Sequence, residues 1–338
     1  MLPESGKARG LLTRRCFYFA AMLRLGYDTD MRLLWISSVL LLAACNLQAD
    51  KGGIYNPDEE FAKLEGPDVA TFQESLERNA FEALSAGEAG RAAGLYQQLA
   101  DKDPNEARYW LGLAESMRRD RAYAESVPVY DKVIEMHPGH LDAYEGKALA
   151  LMADGKTQEA GKIFERIVQR DPKRWRTLNA LGILFAIKNM PTESVRYLQE
   201  AVKYYPDNPS VINNLGLVYA SQRQYDSAVQ LLQEAAGKAD PGQVEQIELN
   251  LALVYGIMGN MAQAERIAER HLPAGSLENN MGFYAHLAND QELAKSYLNM
   301  ALSGSPIYYE RAWKNLEIIA REEKTAGPSE PGKRIKIQ

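Results

Sequence analysis

The chain has little cysteine. Two occur in 338 residues, Cys16 and Cys45, and both precede residue 46. No disulfide framework and no cysteine-based zinc site can form in the remainder. A cysteine-free body suits an oxidising compartment, where stray thiols are a liability. The chain also lacks a basic excess: 39 Lys and Arg stand against 45 Asp and Glu, a net charge of −6. That leaves no electrostatic footprint for nucleic acid and no polybasic stretch for anionic lipid. A Gly-rich phosphate loop, G-x-S-x-G and H-E-x-x-H are all missing. His137 and His140 have H-x-x-H spacing, but they flank Pro138-Gly139, so exposed turn histidines are the plainer reading than a metal site. The expectation is a chain that is not an enzyme, with no cofactor, no metal and no small-molecule substrate.

What is present begins near the N-terminus. Met31 to Cys45 reads MRLLWISSVLLLAAC, and its apolar run, Leu33 to Ala44, is 12 residues long. That is too short to cross about 30 Å of hydrocarbon as a helix, but it suits the apolar region of a signal peptide, with Arg32 as a minimal positive flank. Leu42-Ala43-Ala44-Cys45 resembles a lipobox: small residues give the peptidase access, and the thiol of Cys45 takes the lipid. Several acyl chains then anchor stably where one is marginal. Residues 1–30, with Asp28 and Asp30, do not fit a signal peptide and read as an upstream over-extension. Thr13-Arg14-Arg15-Cys16-Phe17 is a faint twin-arginine signal, but the apolar run after it breaks at Arg24. Asn46, where Asp would retain an enterobacterial lipoprotein at the inner membrane, favours the periplasmic face of the outer membrane. Residues 31–45 are thus read as a lipoprotein signal peptide. Residues 46–70, with Gly52-Gly53, Asn56-Pro57 and Gly66-Pro67, are read as a flexible tether.

The body repeats. Pro104, Pro138, Pro172 and Pro206 are 34 residues apart. Proline ends helices and moves the residue before it out of the α region. Counting each unit from the third residue after its proline, position 8 is Ala114, Ala148, Gly182 and Gly216, and position 20 is Ser126, Ala160, Ser194 and Ala228. Position 24 is Tyr130, Phe164, Leu198 and Leu232, and position 27 is Val133, Ile167, Ala201 and Ala235. Small residues let two helices approach; large ones fill the space between units. A unit so patterned cannot bury its own face, so several must stack. A 34-residue period with these positions matches the tetratricopeptide (TPR) pattern. It extends backward through Leu76, Ala80, Ala92 and Tyr96, and forward through Asn250 to Tyr255, which echoes Asn214 to Tyr219 at a spacing of 36. Gly282, Ala294, Leu298 and Ala301 then close at Pro306. The expected fold is all-α: a right-handed TPR superhelix, an α-solenoid of about seven helix-turn-helix repeats over 71–323. Tyr308 to Arg321 is expected as a C-terminal capping helix, and 324–338 as a disordered tail.

Stacked TPR units curl so that first helices line a concave groove, reached by positions 2, 5, 9, 12 and 13. Those positions include Arg176, Asn179, Ile183, Asn213, Leu217, Leu249 and Leu253. An apolar line of Leu149, Ile183, Leu217 and Leu253 flanked by Asn179 and Asn213 suggests a site for an amphipathic segment, with the amides free to bond its backbone. Tight curvature would instead bury these side chains inside the stack.

Pro209 to Ala220 reads PSVINNLGLVYA and Leu249 to Gly256 reads LNLALVYG, followed by Gly259 to Ala268 and Leu272-Pro273. Together with the lipobox these runs resemble the TadD family, the TPR lipoproteins of the Tad (Flp) pilus assembly system, over about residues 140–290. The resemblance implies an accessory scaffold at the outer membrane that helps a pilus secretin localise or assemble. Other TPR lipoproteins compete with it: a type IV pilus pilotin, an outer-membrane assembly factor, or a regulator of a cell-wall enzyme.

Overall fold

The computed structural model describes residues 72–304 and 309–326. Cys45, the signal peptide, the tether and most of the expected C-terminal tail lie outside them. Among the described residues there are fifteen helices and no strand. Seven pairs follow in order: α1 (Phe72–Ser85) with α2 (Ala89–Lys102), α3 (Ala107–Arg119) with α4 (Tyr123–Met136), and α5 (Leu141–Ala153) with α6 (Thr157–Arg170). Then come α7 (Trp175–Ile187) with α8 (Pro191–Tyr204), α9 (Pro209–Ser221) with α10 (Tyr225–Lys238), α11 (Pro241–Ile257) with α12 (Met261–Ala268), and α13 (Ser276–Leu287) with α14 (Gln291–Gly304). Helix α15 (Tyr309–Ala326) closes the stack. It runs past Arg321, the end expected for it, because the next breaker in the sequence is Gly327-Pro328.

The second helix of each early unit ends as the prolines dictate. The last residue before each, Asp103, His137, Asp171 or Tyr205, is extended and gives its N–H to the carbonyl four residues back. Within a unit the turn is made differently. Gly87, Arg121, Gly155, Asn189, Arg223, Gly259 and Asn289 all have φ between +56° and +86°. Each sits one or two residues past a first helix, where a left-handed residue reverses the chain and lets its successors cap the helix carbonyls. The Arg121 N–H to the Arg118 carbonyl (3.1 Å) and the Ala122 N–H to the Met117 carbonyl (2.9 Å) are one such pair.

Positions 8, 20, 24 and 27 are buried throughout the regular units, with Tyr130, Phe164, Leu198 and Leu232 fully enclosed. First helices of adjacent units from α3 onward pack on one another, and no two second helices pack to the same extent. The first helices therefore lie on the inside of the curve. Where position 24 is tyrosine, the next unit meets it with glycine: a Cβ on Gly112 or Gly146 would fall inside the ring of Tyr96 or Tyr130. Phe164 is followed at the matching place by Ala180, and Leu198 by Asn214. The narrower the residue at 24, the larger the one it admits.

Units 6 and 7 depart from the pattern. Helix α11 has 17 residues and α12 only 8. Pro273 and Gly275 (φ +84°) end the sixth unit early, and the left-handed turns at Gly259 and Asn289 are 30 residues apart instead of 34.

Candidate partner-binding face

The concave positions are mostly closed. Leu149, Ile183, Leu217 and Leu253 are 8%, 5%, 3% and 6% exposed. Their side chains fill the seam between neighbouring first helices, so the expected apolar line is core and does not form an open groove. Asn179 and Asn213 are buried as well. Of the seven expected groove residues, Arg176 and Leu249 alone keep substantial exposure.

The buried asparagines bond to each other. Asn214 Nδ2 donates to Asn179 Oδ1 across α9 and α7 (3.0 Å), and Asn250 Nδ2 donates to Asn213 Oδ1 across α11 and α9 (2.9 Å). Asn213 Nδ2 reaches Asn214 Oδ1 (3.4 Å), and Gln246 Nε2 reaches Asn250 Oδ1 (3.3 Å). Further on, Asn315 of α15 donates to Asn279 of α13 (3.0 Å). Amides expected to serve a bound peptide are thus spent in a ladder between repeats. Buried polar groups persist when they find such partners.

The N-terminal half builds the same seam from charge. Arg108 pairs with Glu77 (3.0 Å), which also accepts from the Tyr109 hydroxyl (3.3 Å). Glu115, almost wholly enclosed, accepts from Arg118 (2.6 and 3.0 Å), Arg119 (2.7 Å) and the Tyr130 hydroxyl (3.0 Å). Burial opposes the Glu115 charge, but Arg118 above all, with Arg119, outweighs it and holds the carboxyl at about 2. Burial and the neighbouring Glu115 push the Tyr130 phenol well above its ordinary range. Glu145 accepts from Arg174 (3.2 Å) and Thr177, and Arg174 also pairs with Asp142. Despite its burial, Glu145 and Asp142 hold the Arg174 guanidinium firmly protonated. Arg118, expected at the concave surface, is buried in this cluster. His140 caps α5, its Nδ1 accepting from the Ala143 N–H (3.4 Å).

A helical solenoid with these repeats defines the class. The tetratricopeptide repeat profile matches residues 79–139, 117–174 and 180–244. No curated protein matches the chain in sequence. Among solved structures, the chain is similar to the human IFIT1 dimer with m7Gppp-AAAA (TM-score 0.60, 16% identity, 80% of this chain and 68% of that one). It is similar also to the APC/C hetero-tetramer Cut9-Hcn1 (TM-score 0.59, 16% identity, 90% of this chain and 59% of that one). A third is a tetratricopeptide repeat protein from Parabacteroides merdae (TM-score 0.53, 16% identity, 73% and 98%). At such identity they share the fold alone. The chain is a tetratricopeptide-repeat protein, and its fold is that of a protein–protein interaction scaffold.

Proposed function

We propose that the protein is a lipid-anchored TPR scaffold for Tad (Flp) pilus assembly, held by Cys45 at the periplasmic face of the outer membrane and binding a segment of a pilus secretin or another Tad component. The observation that carries this reading is the pair of runs at 209–220 and 249–256, which resemble the TadD family. They form α9 and α11, neighbouring first helices joined by Asn213 and Asn250, so the resemblance falls on one continuous element of the inner face. The lipobox supports an anchor. Among the described residues no helix is long and apolar enough to cross a membrane, so on this reading attachment rests on the lipid. A lipid anchor co-localises scaffold and partner and raises their effective concentration without new contacts. Arg176 and Leu249 are the two expected groove residues whose exposure permits a partner contact.

The test is deletion of the gene followed by assay of secretin multimers in the outer membrane, with complementation by the wild-type chain and by Cys45→Ala. Loss of multimers, restored by the first and not by the second, is the expected result. Normal multimers and normal piliation in the deletion strain overturn it.

A further inference from the structure

Repeats two to five bury their inner face, and the irregular repeats do not. At position 5, Glu145 and Asn213 are wholly enclosed, while Leu249, at the same place in the sixth unit, is half-exposed. At position 9, Leu149, Ile183 and Leu217 are buried, while Phe283 in the seventh unit is half-exposed. Ile257 and Leu287, at position 13 of these two units, are half-exposed too. Leu249, Ile257, Phe283 and Leu287 all pack against the same core cluster around Leu253 and Tyr284, so they form one patch. It lies across α11 and α13. The amide ladder passes from α9 to α11 and resumes from α13 to α15; between α11 and α13 the cross-link among the described residues is the Tyr284 hydroxyl on the Leu249 carbonyl (3.4 Å). The short α12 and the 30-residue spacing of the turns accompany the change.

The inner positions around the patch are Gln246, Ser276, Asn279 and Gly256, none of them ionic, and His286, whose ring meets Gln291 and Glu322. The ionic clusters of the inner face lie in the first four repeats. A charged partner would lose its hydration here without gaining a counter-charge, which costs several kcal/mol per ion (about) in a desolvated contact.

We propose that the inner face binds its partner at this patch, and that the occupant is a segment of another protein with an aliphatic face and an uncharged polar rim. The proposal rests on the scaffold reading above and narrows it, since it moves the contact from the middle of the solenoid to its sixth and seventh units and specifies the occupant's chemistry.

The full chain is titrated with three fluorescent peptides, 18 residues each by design (about five helical turns): one built from Leu, Ala, Gln and Ser, and two in which the Gln positions become Glu or Lys. The expected result is binding of the neutral peptide at least tenfold tighter than either charged one, and at least tenfold weakening by Ile257→Asp and by Leu287→Asp. Both side chains are half-exposed, so circular dichroism and melting should confirm folding; Ile257→Ser is the milder variant if either aspartate fails to fold. Equal binding of all three peptides, preference for a charged one, or indifference to the patch variants overturns the proposal. So does dimerisation of the free chain that Ile257→Asp abolishes, since a second copy would then be the occupant. Failure of the pilus reading is distinct: there the deletion strain keeps its secretin multimers while the neutral peptide still binds through Ile257.

Discussion

Asn250 gives its amide N–H to the side-chain carbonyl of Asn213 across two repeats, at 2.9 Å, with both side chains closed to water. The pair does for neighbouring units what leucines do elsewhere, but it demands a register: shift one helix by a residue and a buried amide loses its partner. Removing one member should therefore cost more than removing both. Asn213→Leu is expected to destabilise by about 1–3 kcal/mol, because Asn250 keeps its polarity and loses its acceptor. Asn213→Leu with Asn250→Leu should recover part of that loss. Urea unfolding of the four proteins in the cycle measures it. Additive losses would mean that the amides contribute independently of one another.

Glu115 makes the N-terminal half sensitive to acid. Its carboxyl lies at about 2 in the folded chain against an ordinary value of 4.5. A group depressed on folding stabilises above its unfolded value and loses that contribution as pH falls towards the folded one. The window is therefore about pH 4.5 down to about 2, and the gap corresponds to about 3 kcal/mol. Glu115→Gln should flatten the loss of stability across that window. At neutral pH it should cost about 3–5 kcal/mol, since it leaves the Arg118 charge buried without its counter-charge. Thermal melts at pH 7, 5, 4 and 3 test both points. A variant that keeps the wild-type acid slope would assign that slope to other carboxylates.

Gly146 and Tyr130 form a matched pair. The ring of Tyr130 occupies the space that a Cβ at 146 would need. Gly146→Ala should cost about 1–3 kcal/mol by overpacking, although alanine is the better helix former. In a Tyr130→Leu background, which has the size relation already present at Leu198 and Asn214, the same change should be close to neutral or stabilising. The coupling is read from a double-mutant cycle, because Tyr130→Leu also removes the hydroxyl from Glu115.

Much of this was legible in the sequence, and the residues show why some was not. The prolines at 34-residue intervals and the small residues at positions 8 and 20 announce a helical solenoid, because both act locally: proline through its own ring, small residues through the contact at their own Cβ. The amphipathic pattern also placed Ile183, Leu217 and Leu253 on the inner face. It could not tell whether that face is open, because this depends on how tightly successive units curl, a property of many contacts at once. Asparagine reads the same whether it meets a peptide or another asparagine. The left-handed turns escaped notice since glycine, asparagine and arginine share the place, and three residue types at one interval do not look like a repeat. The exposed patch of units 6 and 7 was hidden for a related reason: Leu249 and Leu253 look alike in sequence, and the shortened repeat beside them exposes one of the two.

Those turns support a last prediction. Arg223 holds φ at +61°, as Arg121 holds +67°. An L-residue with a long side chain is strained there by about 1 kcal/mol, whereas asparagine tolerates the conformation through its short polar side chain. The equivalent turns of the fourth and seventh units already use asparagine, Asn189 and Asn289, and three others use glycine, Gly87, Gly155 and Gly259. Arg223 is exposed, so its replacement should disturb no packing. Arg223→Asn should raise stability by about 0.5–1 kcal/mol. Arg223→Gly should gain less, because glycine also widens the unfolded ensemble. Arg223→Val should lose more than about 1 kcal/mol, since a β-branched side chain fits the left-handed region worst. Urea midpoints for the three variants give the order Asn, Gly, wild type, Val. If valine matches arginine, the turn does not hold the conformation assigned to it, and the left-handed residue is not what reverses the chain between the helices of this repeat.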